Sequence, residues 1–228
     1  MIDLLQIRRR GAGASIWRVL FWWTLLLWIL RLWFFIFYRH RRSGVKCVPK
    51  TGPFIIAANH QSNFDPILVG ALAHDRLFIS IARDSLFKSK FLAFMMQGFG
   101  VIPVRRGESD TKAIRGAIAV LEKGQGILLF PEGTRSQDGS IGQFQRGLWL
   151  LIKKSQAPVL PLAIEGAFDV WPIGTSPKLS GYVESCAGEL ISADTLLDMG
   201  EKNGIEFIKT TIESLRKQCR ASIITRSK

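Results

Sequence analysis

Apolar and polar positions divide the chain near residue 50. Before that point one run dominates: from Ile16 to Tyr38 only Arg18, Thr24 and Arg31 interrupt an apolar run of 23 residues. As a helix this run would reach roughly 34 Å, enough to cross a bilayer. After residue 50, short apolar runs of β type recur at Phe54–Ala58, Leu77–Ile81, Val101–Val104, Ile127–Phe130, Val159–Ile164 and, more weakly, Gly181–Ser185. Helical periodicity falls between or after them at Ile67–Ala73, Phe87–Phe99, Asp110–Glu122, Arg146–Lys154 and Ile205–Gln218. In the last of these, Ile205, Ile208, Ile212 and Leu215 share one face. Strands and helices alternating in this way predict an α/β domain with a mostly parallel sheet flanked by helices. The Pro- and Gly-rich stretch Asp169–Leu179 reads as a surface loop.

Charge sharpens the picture of the first fifty residues. They hold ten Lys/Arg against one acid, Asp3, so +9 of the formal +13 lies there. The basic clusters Arg8–Arg10 and Arg39–Arg42 bracket the apolar run, which also holds five of the seven tryptophans. A basic cluster around an apolar segment fits an anionic bilayer surface better than nucleic acid, and there is no zinc-finger spacing, basic zipper or aromatic RNA-binding signature. Two arrangements are compatible with the segment: a transmembrane span, or a helix or hairpin held in one leaflet. Basic residues on both flanks favour the second, with both ends on the cytoplasmic side. No small-residue cleavage site follows the run, which argues against a signal peptide. Residues 1–44 are therefore expected to form a basic, membrane-associating helical segment, and 45–228 the α/β domain. Three widely spaced cysteines, Cys47, Cys186 and Cys219, form neither a disulfide framework nor a metal cage and suit a reducing compartment.

Two segments at the ends of predicted strands carry chemistry. In parallel sheets, ligands collect at the carboxyl ends of strands. After the first strand comes Asn59-His60-Gln61-Ser62-Asn63-Phe64-Asp65. In a regular helix His60 and Asp65 would point about 140° apart. Pro66, however, disfavours a helical Asp65 and suits a first helical turn. Asp65 is thus expected as the N-cap of the next helix, with a tight turn folding His60 back to its carboxylate. That contact would fix the imidazole tautomer and leave the other nitrogen basic, the base-and-orienter pairing of acyl-transfer enzymes. The plainer alternative is a helix cap beside a turn histidine. His40 is expected to be structural or lipid-facing, and His74 a surface residue. After the fourth strand comes Phe130-Pro131-Glu132-Gly133-Thr134-Arg135-Ser136. Gly133 admits close backbone approach, Arg135 offers a planar fork to phosphate, and Glu132 can accept from a sugar or glycerol hydroxyl. The alternative here is a solvated turn with a Glu–Arg pair.

Together these segments resemble the glycerolipid acyltransferase family, typified by bacterial 1-acylglycerol-3-phosphate acyltransferase. Its Asn-His-x4-Asp block corresponds to Asn59–Asp65 and its second block to Gly100–Gly107, with the block arginine at Arg106. The Phe-Pro-Glu-Gly-Thr-Arg-Ser block is matched in full, and Val159-Leu160-Pro161-Leu162 matches the proline-containing fourth block. The resemblance covers roughly residues 45–185, and the basic N-terminus also looks like the family's. Arg83 stands where many members have Lys, Arg105 where Asp is common, and Phe144-Gln145-Arg146-Gly147 where Phe-Lys-x-Gly is usual. All of these keep or raise positive charge.

The resemblance implies that His60 and Asp65 are catalytic, and that Arg106, Glu132, Gly133, Thr134 and Arg135 bind the acceptor. It also implies that the strand carrying Val159 and Pro161 lines an acyl pocket. The implied activity is transfer of an acyl group from acyl-CoA or acyl-carrier protein to a lysophospholipid hydroxyl, at the cytoplasmic face of the membrane. No metal or other cofactor is expected. No covalent acyl-enzyme is expected either, for want of a nucleophile elbow or a cysteine beside the base. A thioester hydrolase using water, a non-catalytic membrane adaptor and an acyltransferase for another lysolipid, such as a lyso-ornithine lipid, are the rival readings.

Overall fold

A computed structural model describes residues 17, 19–83, 90–99, 101–104 and 110–228. Seven strands form one sheet in the order β1-β7-β6-β2-β5-β3-β4. They are β1 (Arg41–Ser43), β2 (Phe54–Ala58), β3 (Phe78–Arg83), β4 (Ile102–Val104), β5 (Gly126–Leu129), β6 (Val159–Glu165) and β7 (Glu184–Ala187). All neighbours run parallel except β6 and β7, so the sheet is mixed at one edge. The helices are α1 (Leu27–Tyr38), entered through a π-helical stretch at Val19–Leu26, then α2 (Asp65–Leu72), α3 (Lys90–Phe99), α4 (Asp110–Glu122), α5 (Gly147–Ser155), α6 (Ala167–Val170) and α7 (Ala193–Ser227).

The central strands are apolar along their whole length because both faces are covered. In β2, Phe54, Ile56 and Ala58 face a layer built from α1 and α2, with Leu27, Phe34, Leu68 and Leu72 buried against them. Ile55 and Ala57 face the opposite layer, where α4, α5 and α7 contribute Leu121, Ile152, Leu196, Ile208 and Ile212. The result is a three-layer α/β/α domain.

The membrane-type segment is part of this core. Trp23, Leu27, Phe34 and Tyr38 are buried on its inner side, while Leu25, Trp28, Ile29, Leu32, Phe35 and Ile36 stay more than half exposed on the outer side. Helices packed along their length against protein on one side and apolar on the other cannot be surrounded by lipid. Packing also ignores a division at residue 44, since β1 pairs with β7 through Arg41–Ser43. Residues 1–16, including Arg8–Arg10, lie outside the described residues.

Three elements differ from the sequence expectation. Strand β1 was not anticipated, because its Arg-Arg-Ser sequence at a sheet edge lacks an apolar signature. The weak strand begins at Glu184 rather than Gly181, since Gly181 and Val183 instead donate to carbonyls at the end of α1, Phe37 and Tyr38. The last helix starts at Ala193, capped by Ser192 Oγ accepting from Thr195 N–H, and bends at Gly200 (φ 76°, ψ 168°) before the stretch whose periodicity was legible.

Candidate active site

Strands β2 and β5 are parallel neighbours in the register Ala57↔Leu129. Continued three residues, that register sets His60 opposite Glu132, so the two chemically loaded loops meet at the same carboxyl end of the sheet. Two backbone contacts join them. The His60 N–H donates to Glu132 Oε1 at 2.8 Å, and the Ser136 N–H donates to the His60 carbonyl at 2.8 Å.

The turn after β2 brings His60 back onto Asp65, with Nδ1 2.7 Å from Asp65 Oδ2. The same oxygen accepts the backbone N–H groups of Gln61 and Ser62. Asp65 is fully buried and His60 is 19% exposed. A carboxylate held by two N–H donors makes Nδ1–H the favoured tautomer and leaves Nε2 as the basic lone pair. Nε2 has no hydrogen-bond partner among the described residues. The imidazole lies flat on Phe130, with centroids 4.0 Å apart and planes at 13°, so its swing is limited on one side. Asp65 is not the N-cap expected from the sequence. It is the first residue of α2, Phe64 occupies the cap position, and no side-chain cap bond forms. The physical reason is that the carboxylate turns backwards to the N–H groups of its own turn, and Pro66 has no N–H to offer it.

Glu132 is buried, and each of its oxygens already accepts a backbone N–H: Oε1 from His60 and Oε2 from Gly142 at 2.7 Å. Burial pushes its carboxyl upward, and those two bonds, with the nearby His60 and Arg216 charges, oppose the shift. It therefore braces the two loops, and a glycerol hydroxyl would have to share its remaining lone pairs. A Cβ at Gly142 would sit 3.1 Å from Glu132 Oε2, which explains the glycine there. Gly133 has φ 70°, a conformation side chains rarely adopt. Thr134 is exposed and Arg135 half-buried. Arg135 makes no ion pair among the described residues, so its fork is available to an anion. Arg105, Arg106 and Gly107 lie outside the described residues, as do the side-chain surroundings of Arg83.

Val159 and Pro161, expected to line an acyl pocket, are buried inside the sheet. Register sets Val159 beside Ile55, five strand positions or roughly 16 Å before His60. The β6 residues level with the site are Ile164 and Glu165.

Several supporting residues escaped the sequence reading. Asn59 clamps β2 to β6, donating through Nδ2 to the Ile164 carbonyl and accepting the Ile164 N–H at Oδ1, at 2.9 and 2.8 Å. Gln61 donates to the Gly139 carbonyl, which Arg216 on α7 also reaches at 2.8 Å while pairing with the buried Glu165. Phe64 inserts between Phe34, Tyr38 and Trp171, at centroid distances of 5.0, 5.2 and 4.7 Å. The turn that carries His60 is thereby packed directly on α1. Polar residues flanking a motif histidine are a usable signal for such clamps, but their partners are far away in sequence.

Comparison with known proteins gives a consistent result. Residues 39–165 match the family model described as Acyltransferase. Over 147 residues the chain is 30% identical to the chloroplastic 1-acyl-sn-glycerol-3-phosphate acyltransferase BAT2 of Brassica napus, covering 63% of this chain and 42% of that protein. It is 28% identical over 164 residues to a 1-acyl-sn-glycerol-3-phosphate acyltransferase of Pseudomonas aeruginosa, covering 68% of this chain and 60% of that one. The chain thus spans less than half the length of the Brassica relative. Among solved structures, the 1-acyl-sn-glycerophosphate acyltransferase PlsC of Thermotoga maritima superposes with a TM-score of 0.75 at 24% identity, over 87% of this chain and 81% of that one.

Proposed function

This chain belongs to the acyltransferase family, and from that premise we propose that it esterifies the free hydroxyl of a lysophospholipid, most simply 1-acylglycerol-3-phosphate to phosphatidic acid. The observation that carries the reading is the His60–Asp65 pair, on a turn bonded to the loop that bears Arg135, with neither Nε2 nor that guanidinium paired among the described residues. A neutral base whose orientation is fixed, beside a guanidinium fork, suits an alcohol tethered to a phosphate.

In the proposed reaction Nε2 accepts the acceptor's hydroxyl proton as that oxygen attacks the thioester carbonyl of acyl-CoA or acyl-carrier protein. The new C–O bond forms and the C–S bond breaks. The departing thiolate takes the proton from His60, so no acyl group rests on the protein. Asp65 holds the ring and offsets the imidazolium charge, and base catalysis of this kind contributes about 10²–10⁴-fold. Arg135, with Arg106, anchors the phosphate, and Glu132, Gly133 and Thr134 complete the acceptor's bed. The exposed apolar side of α1 supports membrane association within one leaflet, and its basic flanks support the cytoplasmic side.

The test is product analysis. Purified protein is incubated with labelled acyl-CoA or acyl-carrier protein and a panel of lysophospholipids and lyso-ornithine lipid. Acylated phosphate-bearing product is expected. Release of free fatty acid without lipid product would identify a hydrolase and defeat the proposal. Arg135→Ala should raise the KM for the lysophospholipid roughly tenfold, the loss of one charge-assisted contact, and leave the donor KM unchanged.

A further inference from the structure

Away from the site, two arginines converge on the end of α2: Trp28, beneath Arg31, meets His74 edge-on with centroids 6.2 Å apart, and Arg42 bonds Ala71, three residues earlier. Arg31 is a lone cation near the middle of α1, half-buried, its Cζ 4.0 Å over the ring of Trp28. Its Nη1 is buried and has no hydrogen-bond partner among the described residues. Arg42 of β1 rises beneath the same layer and donates to the carbonyl of Ala71 near the end of α2, at 2.8 Å. The two cations repel each other, and burial adds to the cost of both charges. The acid that acts on both is Asp75, whose carboxylate also pairs with His74 Nε2 at 3.2 Å. One carboxylate thus serves two guanidiniums and an imidazole. Buried donors without partners are rare, and two cations sharing one acid leave this corner of the molecule with an excess of positive charge.

We propose that Arg31 and Arg42 form a phosphate-binding site for a membrane phospholipid, separate from the acceptor clamp. The chemistry is that of a phosphate monoester or diester, whose oxygens can accept from the guanidinium N–H groups and offset both charges. The surroundings select a lipid over free phosphate. Trp28, which stacks on Arg31, is itself 54% exposed, and Leu32 and Leu25 continue the apolar surface beside it. Acyl chains would lie along that surface with the headgroup phosphate at the arginines. The site is not the acceptor's own phosphate pocket. Arg42 stands on β1, three strands away from β2, which leads to His60, a separation of roughly 14 Å across the sheet. A glycerol whose hydroxyl and phosphate sit on neighbouring carbons does not bridge that gap. The proposal rests on α1 facing the membrane.

Binding is measured on the 228-residue chain carrying Arg106→Ala/Arg135→Ala, which removes the proposed acceptor clamp as a competing phosphate site. The probes are monomeric short-chain phosphatidylglycerol, inorganic phosphate, and vesicles of phosphatidylcholine with and without phosphatidylglycerol. Saturable binding of the short-chain lipid is expected, weakened about tenfold by Arg31→Gln and further by Arg31→Gln/Arg42→Gln. The equal charge removal Arg41→Gln/Lys46→Gln, at exposed positions, should change it by less than twofold. The single Arg31 variant keeps the Arg42–Ala71 bond and guards against loss of folding. Equal weakening by both double variants would reduce the effect to diffuse charge and overturn the site. Phosphate binding as tight as the lipid would overturn the lipid assignment. Failure to bind any vesicle would instead defeat the membrane reading of α1, and with it this proposal, while leaving the acyl-transfer reading of His60 intact.

Discussion

At the residue scale, the site depends on one carboxylate oxygen. Asp65 Oδ2 gathers the His60 Nδ1–H and two backbone N–H groups, while its other oxygen is buried without a partner among the described residues. Asparagine at this position keeps the size but presents an uncharged amide. It would hold the imidazole less firmly and no longer offset the imidazolium charge. Asp65→Asn is expected to lower kcat by at least about a hundredfold, with acceptor KM little changed, because the phosphate anchors are untouched. Steady-state kinetics on folded protein check this, and a variant with near-normal kcat would remove Asp65 from the mechanism. The two motif blocks that build this site were legible from sequence because each is short and local. The Pro after Asp65 revealed the turn, although the cap role assigned to Asp65 was wrong. The clamps were not legible: Asn59 bonds Ile164 across 105 positions and Gln61 bonds Gly139 across 78, and no local pattern encodes such partners.

At the element scale, α1 has two apolar faces with different purposes, and hydropathy alone reports their sum. The buried face fastens the catalytic turn through Phe34 and Tyr38 against Phe64. Between α1 and the short strand β1 lies His40, expected from the sequence to be structural or lipid-facing. His40 is buried, with Nε2 2.9 Å from Ser185 Oγ, so it joins the start of the domain to β7. Burial, with Arg42, Arg31 and Arg226 nearby, pulls its pKa from 6.5 down to about 3. The folded chain therefore refuses a proton that the unfolded chain accepts. Stability is full above pH 6.5 and falls as pH drops through the window toward 3, at about 1.4 kcal/mol per pH unit, or roughly 2 kcal/mol by pH 5. His40→Gln cannot take up that proton and should flatten this part of the profile. Chemical denaturation of both proteins between pH 7 and roughly 5 reads the difference, and parallel profiles would contradict the assignment.

At the scale of the whole molecule, the α/β class was readable because apolar runs and helical periodicity alternate over most of the chain. The order of strands was not, since β5 returns between β3 and β2 and β6 crosses to the other side of β2. The return of β5 to a place beside β2 sets the loops after these two strands side by side, with α1 and α2 forming the layer over one face. The His60–Asp65 pair, Arg135 and the exposed apolar side of α1 are thus parts of one packed body, which suits the lipid acceptor proposed above. The most direct test is His60→Ala turnover with a lysophospholipid acceptor and an acyl thioester donor, on protein shown to be folded and still bound to vesicles. A fall in acyl transfer of about 10²–10⁴-fold is predicted. Turnover within a few fold of the unaltered protein would contradict the account.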